Sequence, residues 1–228
     1  MRNGPDALMI FAAGFGRRMG ALTETRPKPL IEVAGETLLD RALAIGRAAG
    51  PSRIVANAHY EAAQIDRHLS GTEVRVVHET PDILDTGGGL RDALPQLGTG
   101  PVVTVNPDAA WRGPNPLNAL ASAWRDGMGA LLLLVPADRA RAHGGRGDFA
   151  LDEDRLIRGG PFVYTGAQIV DPSRLGEIGD AAFSLNRYWD LLAAEGRLHG
   201  TVYDGDWCDV GHPDGIAKAE RMLAGDDG

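Results

Sequence analysis

Cysteine is almost absent from this chain: Cys208 is the single one in 228 residues. That excludes an intramolecular disulfide and a thiolate metal cluster, and it suits a reducing, cytoplasmic setting. Basic charge is also scarce. Lys and Arg number 23 against 31 Asp and Glu, a formal net charge of −8, so no nucleic-acid partner is expected, because such surfaces are basic. Any anionic ligand must instead be met by local cations. Long apolar runs are missing too. The N-terminal run Ala7 to Ala12 is short and lacks a cleavage-like flank, so no signal peptide is read there, and no stretch approaches the roughly 20 residues of a membrane helix, so no membrane partner is expected. The 6 histidines show no zinc-ligand spacing, and His59, His68 and His199 read as surface or packing residues. No internal repeat and no proline-rich or serine-rich linker divides the chain.

What is present is a rhythm of short apolar runs and amphipathic stretches, the pattern of an α/β protein with a Rossmann-like, mostly parallel sheet and flanking helices. Strands are predicted at 7–12, 53–57, 74–77, 102–105 and 130–135, and helices at 37–49, 62–69, 89–94, 117–125 and 214–223. Beyond residue 136 the pattern changes to glycine-rich turns and shorter segments. The expectation is one domain over 1–228, with a nucleotide half of about 1–135 and a substrate half of about 136–228. Asp226-Asp227-Gly228 reads as a frayed end.

The first strand empties into Ala13-Gly14-Phe15-Gly16-Arg17-Arg18-Met19, followed by Arg26-Pro27-Lys28-Pro29-Leu30. Glycines let backbone N–H groups approach an anion, and Arg and Lys add charge, so the stretch reads as a nucleoside triphosphate site. A dinucleotide fingerprint fails, because it requires glycine where Met19 stands, and a P-loop fails for want of Gly-Lys-Ser/Thr. Three further landmarks follow: Asp85-Thr86-Gly87-Gly88-Gly89, Asn106-Pro107-Asp108 just past an apolar strand, and Gly144-Gly145-Arg146-Gly147-Asp148-Phe149. Each has a bland reading. An Asp after a strand often caps the next turn, a glycine run can be a flexible turn, and an Arg-Gly-Asp triplet occurs by chance.

Taken in order, Ala13-Gly14-Phe15-Gly16-Arg17-Arg18, Leu22-Thr23, Pro27-Lys28-Pro29-Leu30, Val33-Ala34-Gly35 and Trp207-Cys208-Asp209-Val210-Gly211 resemble the signatures of the sugar-1-phosphate nucleotidylyltransferases. The short length and the Gly145 to Phe149 turn are most similar to the N-acetylmuramate-1-phosphate uridylyltransferases, and the hexapeptide repeats of longer members are absent. The resemblance implies the nucleotide-diphospho-sugar transferase type of fold, with a nucleoside triphosphate and a sugar 1-phosphate as partners. It implies Arg18 and Lys28 as catalytic cations and Asp108 with Asp209 as holders of Mg2+, a hard ion suited to carboxylate oxygens. Nucleotide contacts fall to Ala13, Gly14, Gly16, Glu79, Gly88 and Asn106. Sugar-side contacts fall to Gly147, to Thr165 in a later turn and to Asn186 in a further loop. Asp206 has similar chemistry but lies one strand alternation away from the family position, and it reads as exposed or structural.

Four positions depart from the family pattern: Pro107 replaces a glycine and removes a donor, Ala21 replaces a proline, His212 replaces Ser or Thr, and the lysine expected near the sugar-side turn has Arg158 as its nearest basic substitute. The reaction implied is a single in-line displacement, in which a sugar phosphate oxygen attacks the α-phosphorus and pyrophosphate leaves. UTP and N-acetylmuramate 1-phosphate are the implied pair, and peptidoglycan recycling the implied setting. A guanylyl- or cytidylyltransferase acting on mannose, heptose or choline phosphate, and a non-catalytic nucleotide-binding regulator, remain open at this point. So does the oligomeric state.

Overall fold

Residues that alternate along a strand face opposite sides of its sheet, so a strand apolar at every position is one covered on both faces. In the computed structural model, which describes residues 5–226, β1 (Ala7–Phe11) is such a strand. The chain continues through the hairpin of β2 (Glu32–Val33) and β3 (Glu36–Thr37), then α1 (Leu38–Ala49), β4 (Arg53–Ala58), α2 (Ala62–Leu69), β5 (Arg75–His78) and α3 (Asp85–Leu97). It goes on with β6 (Val102–Val105), β7 (Ala109–Arg112), α4 (Pro116–Ala123), β8 (Ala130–Pro136), β9 (Ala140–Arg141), β10 (Phe149–Asp152) and β11 (Arg155–Arg158). The last part holds β12 (Phe162–Val170), α5 (Leu185–Ala194), β13 (Leu198–Val202), β14 (Asp206–Asp209) and α6 (Pro213–Ala224). Of the expected frayed end, Asp227 and Gly228 lie outside the described residues.

Nine strands form one sheet in the order β10-β11-β13-β8-β12-β6-β1-β4-β5. It is parallel through β5, β4, β1 and β6 and again between β8 and β13. β12 runs antiparallel between β6 and β8, and so joins the two parts of the chain in a single sheet. Leu8 and Ile10 face a core built with Leu39 and Leu43 of α1, Ile65 of α2 and Leu120 of α4. Met9 faces the other core, with Leu90 and Leu97 of α3 and Tyr188 and Leu192 of α5. A small sheet, β7-β14-β9, carries the last strand against β7, and α6 packs behind it.

Local chemistry sets the ends of these helices. Thr37 Oγ1 accepts from Asp40 N at 3.0 Å at the start of α1, and Gly50, with φ of +73°, stops it. Asn115 Oδ1 accepts from Leu117 N at 2.8 Å ahead of Pro116 in α4; both are standard starts. Three expectations need correction. The glycine run is not a turn before a helix at 89–94 but the first turns of α3, which begins at Asp85. The segment around Asn186 is a helix, α5, capped by Ser184, rather than a loop, and Thr165 lies inside the long strand β12.

Candidate active site

The loop after β1 is held from below. Asn57, at the end of β4, accepts from Ala12 N through Oδ1 at 2.8 Å, which fixes where the backbone leaves the sheet. Gly14 follows with open space where a side chain would stand. At Gly16 φ is +64°, and a Cβ would come within 2.8 Å of Lys28 Cβ, so only glycine fits. Thr23 Oγ1 donates to Gly16 O at 3.1 Å and locks the turn that follows. Arg17 lies over the Phe15 ring at 5.1 Å. Arg18 is exposed and, among the described residues, makes no ion pair, which leaves its guanidinium available to an anion.

The second component closes the loop from the other side. Lys28 follows Pro27 in a short 3₁₀ turn, and Asp108 stands between β6 and β7. Lys28 Nζ and Asp108 Oδ2 meet at 2.6 Å, with side chains 11% and 29% exposed. A charge this far from water is retained only with a partner, and the pair brings together residues 80 positions apart. Val210 N donates to Asp108 O at 2.8 Å, which ties the end of β14 to the same spot. There Asp209 Oδ1 accepts from Gly211 N at 2.6 Å. A Cβ on Gly211 would lie 2.7 Å from Asp209 Oδ1 and 3.3 Å from Arg18 Nη2, so glycine leaves the space that both side chains border. Asp206 turns elsewhere and pairs with Arg112 at 2.8 Å. Cys208 is fully buried, and burial pushes its thiol up to about 11, so it stays protonated at neutral pH.

These groups border a cleft of about 410 Å³ whose cations are Arg17, Arg18 and Lys28. Ala13, Gly14, Gly16, Glu79, Asn106 and Asp108 also line it, as the motifs imply, whereas Asp209 does not line it and is linked to it by the hydrogen bond from Gly211 N, which does. Glu79 is a buried brace: Oε1 accepts from Asn57 Nδ2 at 2.6 Å and Oε2 from Leu84 N at 2.7 Å. Both carboxylate oxygens are thus spent on the protein, and the residue shapes the wall between β4 and α3. Gly88 lines neither this cleft nor its neighbour, contrary to the expectation of base or ribose contact. A Cβ there would meet Ala181 O at 2.4 Å, and one on Gly89 would meet Glu79 Oε1 at 2.3 Å. The glycine run therefore serves close packing of protein on protein. The wall is made instead by Asp85 and Thr86, the two residues of that landmark that were given no role, and by Ile83, which no motif reached. Asp85 holds φ of +59°, an uncommon conformation that Asp tolerates better than most residues.

A second cleft of about 290 Å³ shares Phe11, Asp85, Thr86 and Asn106 with the first. Asn186 lines it, with Oδ1 accepting from Arg158 Nη1 at 2.8 Å. Gly147 does not: its Cα faces Gly160 O, 2.2 Å from a built Cβ, and its neighbours Asp148 and Phe149 line the cleft in its place. Thr165 does not either, because it is buried with its hydroxyl donated to Leu133 O at 2.8 Å. The floor is aromatic, with Tyr164 and Trp189 5.0 Å apart edge to face. Burial pushes the Tyr164 phenol well above its ordinary range, so it stays neutral.

Among the described residues no group of three or more His, Cys, Asp or Glu gathers, and no helix is long and apolar enough to cross a membrane. Comparison with known proteins gives a consistent picture. The model of the MobA-like NTP transferase domain matches residues 8–200. The N-acetylmuramate alpha-1-phosphate uridylyltransferase of Caulobacter vibrioides is 36% identical over 240 aligned residues, covering 98% of this chain and 99% of that protein. The protein of the same name from Neisseria meningitidis serogroup B is 33% identical over 235, covering 94% and 96%. Among solved structures, a putative glucose-1-phosphate thymidylyltransferase from Bacillus anthracis in complex with a sucrose superposes with a TM-score of 0.81 at 16% identity, covering 95% of this chain and 94% of that one. At that identity the likeness speaks for the fold.

Proposed function

The chain belongs to the family of MobA-like NTP transferase domains, and from that premise we propose that it transfers UMP from UTP to N-acetylmuramate 1-phosphate, yielding the UDP-sugar and pyrophosphate. The chain is a nucleotidyltransferase by its relatives. The observation that carries the reading within this molecule is the Lys28–Asp108 pair in a cleft that also holds Arg18. We read the whole chain as one domain in which residues up to about 135 take the nucleotide and the rest take the sugar. The proposed setting is the cytoplasm and the recycling of peptidoglycan sugars.

The chemistry needs no protein nucleophile. One oxygen of the acceptor phosphate forms a bond to the α-phosphorus while the bond to the bridging oxygen of the β-phosphate breaks, and pyrophosphate departs with that electron pair. The acceptor phosphate is already ionised at neutral pH, so the residues position the two anions and neutralise charge. Gly14 and Gly16 let the loop backbone lie against the triphosphate. Arg18 takes the phosphates that leave, and Lys28 offsets the repulsion between donor and acceptor.

The two carboxylates fit a magnesium ion. Asp108 Oδ1 and Asp209 Oδ2 take no hydrogen bond from the described residues, and hard oxygens of this kind are what magnesium prefers, with phosphate and water completing its shell. Held by Asp108 and Asp209, a magnesium ion would supply positive charge to phosphate oxygens. Pyrophosphate release should be measured with each common nucleoside triphosphate against N-acetylmuramate, N-acetylglucosamine, glucose and mannose 1-phosphates. Release with UTP and N-acetylmuramate 1-phosphate supports the reading, and a preference for another pair replaces the substrates while keeping the reaction.

A further inference from the structure

The reacting phosphates must lie where the charge is, in the first cleft beside Lys28 and Arg18. The second cleft receives the rest of the acceptor, and its ionic lining is lopsided: among the described residues Asp85 and Asp148 are its acids and Arg158 is its one cation. Arg158 lines only this second cleft, so it stands with the rest of the acceptor and not among Arg17, Arg18 and Lys28, the cations that line the first. A cation so placed meets a substituent of the sugar ring.

We propose that Arg158 selects the acceptor by binding a carboxylate carried on the sugar, a proposal that rests on the reading of the acceptor as N-acetylmuramate 1-phosphate. That sugar differs from N-acetylglucosamine by a lactyl ether, whose carboxylate is the only charge besides the phosphate. A planar guanidinium is the group best matched to a carboxylate.

Its surroundings hold the guanidinium ready. It lies 5.1 Å from the Phe149 ring centroid and 5.6 Å from that of Trp189. Nε and Nη2 donate to Asp190 Oδ1 at 3.1 and 2.7 Å, Nη1 donates to Asn186 Oδ1 at 2.8 Å, and Nη2 also reaches Asn186 O at 3.1 Å. Of the five N–H donors an arginine owns, one on Nη1 remains. The Asp190 partner is 65% exposed against 43% for Arg158, and an ion pair so open to water is worth little. A ligand carboxylate therefore competes with Asp190 at small cost, while the aromatic rings and Asn186 keep the guanidinium in place.

The test compares kcat/KM for N-acetylmuramate 1-phosphate and N-acetylglucosamine 1-phosphate in the wild type, Arg158→Gln and Asp190→Asn. For Arg158→Gln the loss with the muramate should exceed the loss with the glucosamine by about ten- to a hundredfold, the scale of a charged hydrogen bond. Asp190→Asn, which removes the competing carboxylate, should move the ratio the other way. Equal losses with both acceptors would mean that Arg158 serves the shared phosphate or the fold, and no loss with either would mean that it reads nothing; either result overturns the proposal. A wild type that does not use N-acetylmuramate 1-phosphate defeats the functional reading itself, a result separate from a wild type that uses it with a ratio indifferent to Arg158.

Discussion

Lys28 and Asp108 are each other's counter-ion and also the two groups assigned to opposite tasks in the chemistry. The two substitutions that break the pair are therefore unequal for stability and equal for turnover. Asp108→Asn leaves an almost buried ammonium without a counter-charge, whereas Lys28→Met keeps the packing of the methylenes and leaves a carboxylate that water still reaches at 29% exposure. We expect Asp108→Asn to cost on the order of 2 kcal/mol, below the value for a fully buried pair because Asp108 is partly hydrated, and Lys28→Met to cost less. Both should lower kcat by about two to three orders of magnitude, as loss of one transition-state contact does. Urea unfolding and initial rates check this, and near-normal turnover of either variant contradicts the assigned role. Sequence motifs pointed to both residues, but nothing in the chain between them said that they touch. That fact depends on where β6 ends and where the turn after Pro27 lies.

At the scale of elements, the glycines of the phosphate loop and of α3 look alike in sequence and differ in space. Alanine is a better helix former than glycine by roughly 1 kcal/mol, but at Gly88 its Cβ would press on the backbone oxygen of Ala181 at 2.4 Å, which cannot move aside as a flexible side chain does. Overpacking of about 1–3 kcal/mol should win, and Gly88→Ala should lower the thermal midpoint. Gly14→Ala meets no atom within 4 Å and should fold like the wild type while raising KM for the triphosphate about tenfold, because its methyl occupies space the ligand needs. If Gly88→Ala changed KM without changing stability, the packing account of that run would be wrong. β1, β4, β5, β6 and β8 and the helices α1, α2, α4 and α6 were legible because their apolar residues recur with a clear period, whereas β13, parallel to β8, was not expected. β12 was not, because Gly166 adopts φ of +87° and the register with β8 shifts between Tyr164 and Gln168, so a strand carries the composition of a turn. In α5 the spacing of Leu185, Tyr188, Trp189 and Leu192 was available, but the family resemblance drew attention to Asn186 as a loop residue.

Across the whole molecule, the phosphate loop is backed by the other end of the chain. Met19, in the turn that carries Arg18, lies in one buried cluster with Ala219 and Met222 of α6, Cys208 of β14 and Val210 just after it. Ala34 N, just beyond the Lys28 segment, donates to Glu220 Oε1 of α6 at 3.1 Å. The segment that supplies Asp209 and the helix that follows it therefore hold the loop from behind, and a defect in α6 should reach the nucleotide although α6 does not line the cleft. Met222→Ala empties a fully buried position and should cost about 2–5 kcal/mol, with a raised KM for the triphosphate at temperatures where the variant is still folded. Leu69→Ala, at a buried site of α2 within a different cluster, separates this effect from general weakening. It should lose comparable stability and leave that KM near the wild-type value. Equal KM shifts in the two variants would show that the binding loss follows global stability, and the coupling between α6 and the loop would have to be abandoned.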